Sequence, residues 1–295
     1  MTAPVAPDGR WTVLALLRWT TQHFAAHGIE TPRLDAECLL AHALGVDRLR
    51  LYLDFEKPVE PGERAVFRDL VRRRASVRIP VSQLTGQREF WSLPLRVTRD
   101  VLTPRPESET LVSVALEFLA ARDGEVRVLD LGTGSGAIAL AIAHAREKAR
   151  LLATDVSGEA LSVARANAQE LGLLERVAFA EGPLFEPARG QRFDLLVSNP
   201  PYLAEHEAQT LAPELAHEPA VALFGGPDGY AVLRPLVAQA EQHLLPGGAL
   251  AVEVAPAQAE TIADWCAKAG LEQVAIQRDL AGRPRVVSAR APEAV

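Results

Sequence analysis

The sequence predicts an α/β protein in which a small helical bundle precedes a Rossmann-like, mostly parallel sheet of seven strands. From residue 126 onward, short apolar segments alternate with amphipathic helical segments. This alternation is typical of a parallel sheet that helices cover on both faces. Before residue 80, the apolar residues follow only the helical period. These patterns predict a helical bundle at 1–80, a β-hairpin linker at 81–102 and a larger domain at 103–295.

Three helices are predicted in the bundle, at residues 11–27, 32–44 and 61–77. A proline begins the second and the third, and a glycine follows the first and the second. The third helix carries a basic face formed by Arg68, Arg72, Arg73, Arg74 and Arg78. A charged face of this kind is more often solvated than used for docking, and both interpretations remain open.

The later elements follow from the change of period. Between residues 87 and 101 the period shifts toward two, which predicts a hairpin. A helix at 107–121 comes next, and Ser108 or Thr103 could cap it. Strands are predicted at 126–131, 150–154, 177–180, 194–198, 248–254, 273–278 and 285–289. Helices are predicted between them at 136–145, 157–171, 230–245 and 258–269.

Composition excludes several classes of protein. With 295 residues, 48% of them hydrophobic, the chain fits a globular protein of two domains. No apolar run is long enough for a membrane span, and no signal peptide is recognised, so we expect a cytoplasmic protein. The net charge of −7 argues against a protein that grips long nucleic acids. Cys38 and Cys266 lie far apart, and the histidines lack metal-ligand spacing, so no metal is expected.

The segment that follows the predicted strand 194–198 is the strongest candidate for chemistry. It reads Asn199-Pro200-Pro201-Tyr202. Proline cannot donate to a sheet ladder, so Asn199 stands at the carboxyl end of a strand, where open α/β sheets bind ligands. The Asn199 side-chain oxygen and the Pro200 carbonyl would then be two neighbouring acceptors, which suit a planar NH2 group. Tyr202 could pack against that group.

A glycine-rich segment marks a second candidate site, where the first parallel strand becomes a helix. It reads Asp130-Leu131-Gly132-Thr133-Gly134-Ser135-Gly136. Glycines there let the backbone turn tightly and approach a ligand closely. Asp155 ends the next strand and could accept both ribose hydroxyls of a nucleoside ligand.

A third strand end places Leu184 or Phe185 where either could cover an adenine ring, and either could equally belong to the core. The glycines are not followed by the Lys and Ser or Thr of a P-loop, which argues against hydrolysis of a nucleoside triphosphate. The nucleophile elbow of serine hydrolases is also missing. The sequence therefore predicts a nucleoside cofactor that faces a site for an amide or amine.

Several segments resemble the PrmC/HemK family of release factor glutamine methyltransferases. They are residues 32–37 (PRLDAE), 102–109 (LTPRPESE), 130–136 (DLGTGSG), 193–202 (FDLLVSNPPY), 218–229 (EPAVALFGGPDG) and 278–283 (RDLAGR). The resemblance implies a class I S-adenosylmethionine-dependent methyltransferase fold. It also implies N5-methylation of the glutamine in the Gly-Gly-Gln loop of peptide chain release factors during translation termination.

The same resemblance assigns roles to residues. Catalysis falls on Asn199, Pro200 and Tyr202, and binding of the substrate glutamine on these three together with Pro201. The residues implied to contact S-adenosylmethionine are Asp130, Gly132, Thr133, Gly134, Ser135, Gly136, Asp155, Leu184 and Asn199. We expect a monomer whose helical bundle docks the release factor.

Three alternatives remain open at this point. A related enzyme that methylates a glutamine of a ribosomal protein would share the active site. A DNA adenine-N6 methyltransferase would use Asn-Pro-Pro-Tyr on a flipped base. Such an enzyme calls for a basic recognition domain, whereas residues 100–295 hold 16 basic and 27 acidic residues. An inactive methyltransferase fold that only binds a translation factor is the third.

Overall fold

The computed structural model describes residues 11–294. The chain divides into one compact unit that ends at Gly86 and a second that begins at Gln87. This division falls inside the segment 81–102, for which the sequence predicts a hairpin linker. In the described part of the chain, we find no helix with the length and apolar character needed to cross a membrane.

The first unit is helical. Its helices are α1 (Val13–Ala26), α2 (Pro32–Leu44), α3 (Arg48–Leu53), α4 (Pro61–Val77) and α5 (Val81–Thr85). They enclose an apolar core in which Leu17, Phe24 and Leu39 are fully buried. The three long helices occur where the periodicity predicts them. The sequence does not reveal α3 and α5, because helices of 6 and 5 residues are too short to show a period.

One arginine of the predicted basic face of α4 is buried. Arg74 lies inside the bundle and donates from Nε to the Asp35 carboxylate at 2.7 Å. Both side chains are only 8% exposed. The interpretation of this face as uniformly solvated is therefore wrong at Arg74, while Arg68 and Arg72 are exposed. Burying an ion pair costs desolvation free energy, and separating the two side chains would leave each charge buried without a partner. The pair therefore fixes how α2 and α4 pack against each other.

The second unit begins with a tight hairpin, formed by β1 (Gln87–Phe90) and β2 (Leu93–Arg96). Phe90 pairs with Leu93, so the turn has only two residues. Both of them, Trp91 and Ser92, have positive φ angles of 52° and 59°. This is the geometry of a type I′ turn, whose twist matches that of the flanking strands.

The main sheet has seven strands in the order β5-β4-β3-β6-β7-β9-β8. In chain order the strands are β3 (Val126–Leu131), β4 (Ala149–Asp155), β5 (Val177–Glu181), β6 (Phe193–Ser198), β7 (Leu244–Glu253), β8 (Glu272–Arg278) and β9 (Pro284–Arg290). Within this sheet, β9 runs opposite to the other six strands. The predicted class of mostly parallel seven-stranded sheet is confirmed.

Helices cover both faces of the sheet. They are α6 (Glu109–Ala120), α7 (Ala137–Ala145), α8 (Gly158–Glu170), α9 (Ala220–Leu223), α10 (Leu233–Ala240) and α11 (Ala259–Lys268). Side chains alternate between the two faces along each strand: Leu195 and Val197 of β6 join the core with α6 and α7. Leu196 joins the core with α10 and α11.

Short 3-10 helices complete the described fold. They lie at Pro106–Ser108, Glu186–Ala188, Glu205–Thr210, Pro213–His217, Glu241–His243 and Pro256–Gln258.

The predicted helix 230–245 is wrong at its end, because β7 begins at Leu244 and pairs there with Phe193. Leu244 satisfies the helical period and a buried strand equally well, so periodicity alone extends the helix too far.

The strand order creates a crevice. From β3 the chain proceeds outward through β4 to β5, and β6 then returns to the other side of β3. The order therefore reverses between β3 and β6, and the carboxyl ends of these two strands flank the place where open α/β sheets bind ligands. The glycine-rich segment follows β3 directly, and the Asn-Pro-Pro-Tyr segment follows β6.

Candidate active site

A cleft of about 300 Å³ opens at the carboxyl ends of β3, β4, β5 and β6. Its walls are mainly apolar, and its lining brings together three of the predicted segments. The lining includes Val101, Leu102, Gly132, Gly134, Asp155, Val156, Leu184, Asn199, Pro200, Pro201, Pro219, Val221 and Val232. A cavity of this size and character fits a small organic ligand with a few polar groups.

Backbone hydrogen bonds fix the conformation of the glycine-rich turn. The N–H groups of Gly132 and Thr133 both donate to the Thr154 carbonyl at 2.9 Å. Gly132 and Gly134 have φ angles of 72° and 56°, which favour glycine, and a Cβ on either would meet no atom within 4 Å. The space beside these two residues is therefore open to a ligand. A Cβ on Gly136, by contrast, would lie 3.0 Å from Leu140, so this glycine serves helix packing.

Asp130 supports this turn from inside the protein. It is fully buried and accepts a hydrogen bond from the Thr133 hydroxyl at 2.7 Å. Burial raises the pKa of Asp130 to about 7, although the Thr133 hydrogen bond opposes the rise. Asp130 is absent from the lining of the cleft, so its predicted contact with a cofactor stays a prediction. The Ser135 carbonyl is fixed in a similar way, by the Asn167 amide at 2.8 Å.

Asp155 lies at the end of β4 and lines the cleft. Its Oδ2 accepts from the Gly134 N–H at 2.8 Å, and its Oδ1 accepts from the Ser157 N–H at 3.0 Å. A carboxylate has about four lone-pair positions, so each oxygen can accept one further bond. The carboxylate is thus fixed in place with capacity left for two hydroxyl groups of a ligand.

The structure separates Leu184 from Phe185. Leu184 lines the cleft and has a positive φ of 45°. Phe185 is only 3% exposed and stacks on His243 with ring centroids 4.3 Å apart, so it belongs to the core. Val156, half exposed, lines the cleft with Leu184, and the two offer apolar contacts for a flat ring.

The turn after β6 presents two acceptors. The Asn199 amide donates from Nδ2 to the Ser108 hydroxyl oxygen at 3.2 Å. Within residues 11–294, nothing donates a hydrogen bond to Asn199 Oδ1 or to the Pro200 carbonyl. Ser198, the last residue of β6, anchors the turn through its hydroxyl to the Leu131 carbonyl at 2.7 Å. Asn199 Oδ1 and the Pro200 carbonyl oxygen therefore both have capacity to accept a hydrogen bond, and their predicted binding of an NH2 group stays a prediction.

Asn199 belongs to two clefts at once. A smaller cleft of about 50 Å³ also has Asn199 in its lining, together with Arg105, Ser108 and Thr133. Gly132 and Gly134 are shared as well. An amide group in the smaller cleft and a nucleoside in the larger one would therefore both touch the same side chain.

Tyr202 lies elsewhere. It is absent from the lining of both clefts and packs against the core of α10 and α11. Burial raises the pKa of Tyr202 to about 12, and the nearby Glu253 carboxylate adds to the rise. Its carbonyl accepts from the Gln258 side chain at 3.1 Å. In this structure Tyr202 anchors the turn, so its predicted contact with a flat substrate group stays a prediction.

Two carboxylates near the site were not identified from the sequence. Glu218 accepts from the Thr103 N–H at 3.3 Å and from Arg105 Nη2 at 2.5 Å, and thereby fixes the segment before α6. Glu253, the last residue of β7, is 1% exposed. Glu218 begins the segment 218–229 that resembles the family, but the residues it binds are more than 100 positions away, so the local sequence assigns it no role.

Comparison with known proteins agrees with this geometry. The PrmC N-terminal domain family matches residues 15–86, and the methyltransferase small domain family matches residues 112–229. Among solved structures, a methyltransferase from Pyrococcus furiosus has a TM-score of 0.50 at 21% identity, covering 68% of this chain and 89% of its own. The hMettl16 catalytic domain has a TM-score of 0.57 at 12% identity, covering 80% and 83%. These two likenesses establish the methyltransferase fold.

Sequence relatives are closer. The release factor glutamine methyltransferase of Rhodopirellula baltica is 42% identical, over 97% of this chain and 98% of its own. The enzyme of that name from Deinococcus radiodurans is 44% identical, over 93% of this chain and 97% of its own. Both alignments span nearly the full length of both proteins, at an identity well above that at which fold alone is shared. The chain therefore belongs to the release factor glutamine methyltransferase family.

Proposed function

We propose that this protein methylates the side-chain nitrogen of the glutamine in the Gly-Gly-Gln loop of peptide chain release factors, with S-adenosylmethionine as the methyl donor. Membership of the family supports the choice of substrate. The observation that carries the chemistry is the pair of free acceptors, Asn199 Oδ1 and the Pro200 carbonyl, beside the cleft. We also infer that the enzyme works as a monomer in the cytoplasm.

The larger cleft fits this cofactor. The open space beside Gly132 and Gly134 leaves room for the amino acid portion against the backbone. Asp155 would accept from the ribose hydroxyls, and Val156 and Leu184 would contact the adenine. When bound, S-adenosylmethionine supplies an electrophilic methyl group on its sulfonium centre.

The role of the protein follows from the electronic structure of an amide. The nitrogen lone pair is delocalised into the carbonyl, so an amide is a weak nucleophile. Asn199 Oδ1 and the Pro200 carbonyl can accept both N–H groups, which fixes the orientation of the nitrogen and increases its electron density. One N–H proton leaves to water as the nitrogen gains its methyl group. Orientation and local electrostatics therefore provide most of the rate, with no strong base.

The helical unit is the best candidate for docking the release factor. The exposed Arg68 and Arg72 of α4 could face the acidic surface of a protein partner. We expect charge reversal at Arg68 to raise the KM for the protein substrate and to spare turnover on an isolated loop peptide. An equal effect on both substrates would assign Arg68 to stability alone.

The central test is mass spectrometry of a release factor after incubation with the protein and S-adenosylmethionine. We expect one added methyl on the loop glutamine, and no transfer to a ribosomal protein or to DNA offered in parallel. Asn199→Ala should lower kcat by about 100-fold or more, as the loss of one positioned polar group does elsewhere. Cofactor binding, measured by calorimetry, should largely survive, and the Tm should stay close to wild type. Near-native turnover of Asn199→Ala would refute the mechanism, and methyl transfer to either competitor in place of the release factor would refute the substrate.

A further inference from the structure

The Asn199 side chain has two chemically different ends. Its oxygen accepts hydrogen bonds, whereas its NH2 group only donates. If the amide were turned over, the NH2 group would face the NH2 group of a substrate amide, and neither could bind the other. The proposed function therefore requires a neighbouring group that selects one orientation of the Asn199 amide.

We propose that Ser108 and Glu253 are positioning residues that orient the Asn199 amide, so that its oxygen faces the substrate. The inference rests on the proposed function and extends it to two residues outside the Asn-Pro-Pro-Tyr segment. The order of groups is the Asn199 amide, the Ser108 hydroxyl and the Glu253 carboxylate. None of the three is close to another in the sequence.

The first contact is between Ser108 and Asn199. Asn199 Nδ2 donates to the Ser108 oxygen at 3.2 Å, and Ser108 is only 3% exposed. Ser108 immediately precedes α6, where a serine usually caps the helix. Here its side chain makes no capping hydrogen bond, so the predicted capping role of Ser108 is wrong. The hydroxyl instead serves the active-site amide.

The second contact, between Ser108 and Glu253, sets the direction in which the Ser108 hydroxyl points. Glu253 is 1% exposed and follows Val252, which pairs with Ser198, so Glu253 stands beside Asn199 at the end of the sheet. A hydrogen bond with the Ser108 hydroxyl lowers the pKa of Glu253. An ionised carboxylate can only accept, so in this proposal the Ser108 proton points toward Glu253. The lone pairs of the Ser108 oxygen then face Asn199, where they bind an NH2 group and would repel a carbonyl oxygen.

Arg285 and Arg105 are the cations that act on Glu253, but their hydrogen bonds go to Asp279 and Glu218. The Glu253 Oε2 is buried without a hydrogen-bond partner among residues 11–294. A buried carboxylate oxygen in that state is costly, and natural proteins keep few of them. A role in setting the direction of the Ser108 hydroxyl explains why an acid is present at the end of β7.

The environment of Glu253 makes the orientation of the Ser108 hydroxyl sensitive to pH. Burial raises the pKa of Glu253 to about 7, and Glu107 adds to the rise, while Ser108, Arg285 and Arg105 oppose it. Tyr202 also faces Glu253, but its own pKa near 12 keeps it neutral. Below about pH 7 a protonated Glu253 could donate to the Ser108 oxygen and reverse the direction in which the Ser108 hydroxyl points. Turnover should therefore increase as the pH rises through this value.

The test compares Ser108→Ala, Ser108→Thr and Glu253→Gln with the matched control Ser113→Ala. Ser113 is an exposed serine of α6 that bonds only to the Glu109 carbonyl. We expect kcat on a release factor to fall about tenfold in Ser108→Ala, with the Kd for S-adenosylmethionine within about twofold of wild type. Ser108→Thr keeps the hydroxyl and should recover most of the loss, and Ser113→Ala should match wild type.

The pH profile separates positioning from a merely structural role. In the wild-type enzyme kcat should show an inflection near pH 7, and this inflection should be lost in both Ser108→Ala and Glu253→Gln. Wild-type kcat in Ser108→Ala would overturn the inference. An inflection that stays unchanged in both Ser108→Ala and Glu253→Gln would also overturn it, because it would then belong to Asp130, whose pKa is about 7 too. Absence of glutamine methylation by the wild-type enzyme would instead overturn the proposed function, so the two failures are distinguishable.

Discussion

Gly225 provides a sharp test of how the active-site turn is supported. Its N–H donates to the Leu203 carbonyl at 2.8 Å, so the segment before α10 lies directly against the Asn-Pro-Pro-Tyr turn. A Cβ on Gly225 would lie 2.6 Å from the Pro201 carbonyl oxygen and 2.7 Å from that of Gly229. Both atoms belong to the backbone, so no side-chain rotation can relieve the contact. Gly225→Ala must therefore displace the turn itself.

The size of the effect follows from these distances. Reaching an ordinary contact of 3.4 Å requires Pro201 to move by about 0.8 Å, at a cost of about 1–3 kcal/mol in the free energy of unfolding. The Pro200 carbonyl belongs to the preceding residue and would move with it. A misplacement of about 1 Å can lower a rate by about 100-fold, which is about 2.7 kcal/mol in the activation free energy.

The assay is steady-state methylation of a release factor together with thermal unfolding. We expect kcat of Gly225→Ala to fall far more than the folded fraction at the assay temperature. Gly62→Ala is the control, because Gly62 lies in the first turn of α4 with open space around it and an ordinary φ. Its activity should stay at the wild-type level. Unchanged kcat in Gly225→Ala would show that the turn is not held by this contact.

Three further outcomes follow from other contacts. Arg74→Met should lower the free energy of unfolding by about 3–5 kcal/mol, because Asp35 is left buried without its cation; a smaller loss in denaturant titration would contradict this. Asp155→Asn should weaken cofactor binding by about 10- to 100-fold in calorimetry, because charged acceptors bind hydroxyls more strongly; unchanged affinity would remove Asp155 from the cofactor site. Cys266 should resist thiol reagents at pH 8 until the protein unfolds, since burial raises its pKa to about 12, whereas the partly exposed Cys38 should react earlier.

The sequence predicts those parts of the site whose residues impose their own geometry. Pro200 and Pro201 cannot continue the hydrogen-bond ladder of β6, so the strand must end there. The glycines after Leu131 permit the tight turn that leads into α7. Asn199 and Asp155 are therefore placed correctly at strand ends from the pattern alone. The strand positions are similarly well predicted, because burial on both faces gives continuous apolar runs.

The remaining features depend on contacts between distant segments. Ser108 and Asn199 are 91 residues apart, and no local pattern links them. Arg74 looks like its exposed neighbours until the position of Asp35 is known. Leu184 and Phe185 are adjacent and both apolar, so only the backbone, with its positive φ at Leu184, decides which one faces the cleft. Periodicity reports burial but does not say which partner a buried side chain meets.

The bond between the Gly134 N–H and the Asp155 carboxylate has a consequence for ligand entry. It joins the ends of β3 and β4 through protein atoms alone. The surface of the cleft formed by Gly134 and Asp155 is thus preorganised, and it loses little conformational entropy when a ligand binds. Binding should accordingly proceed with small structural change, and the Gly134 amide should already be protected from hydrogen exchange in the free enzyme.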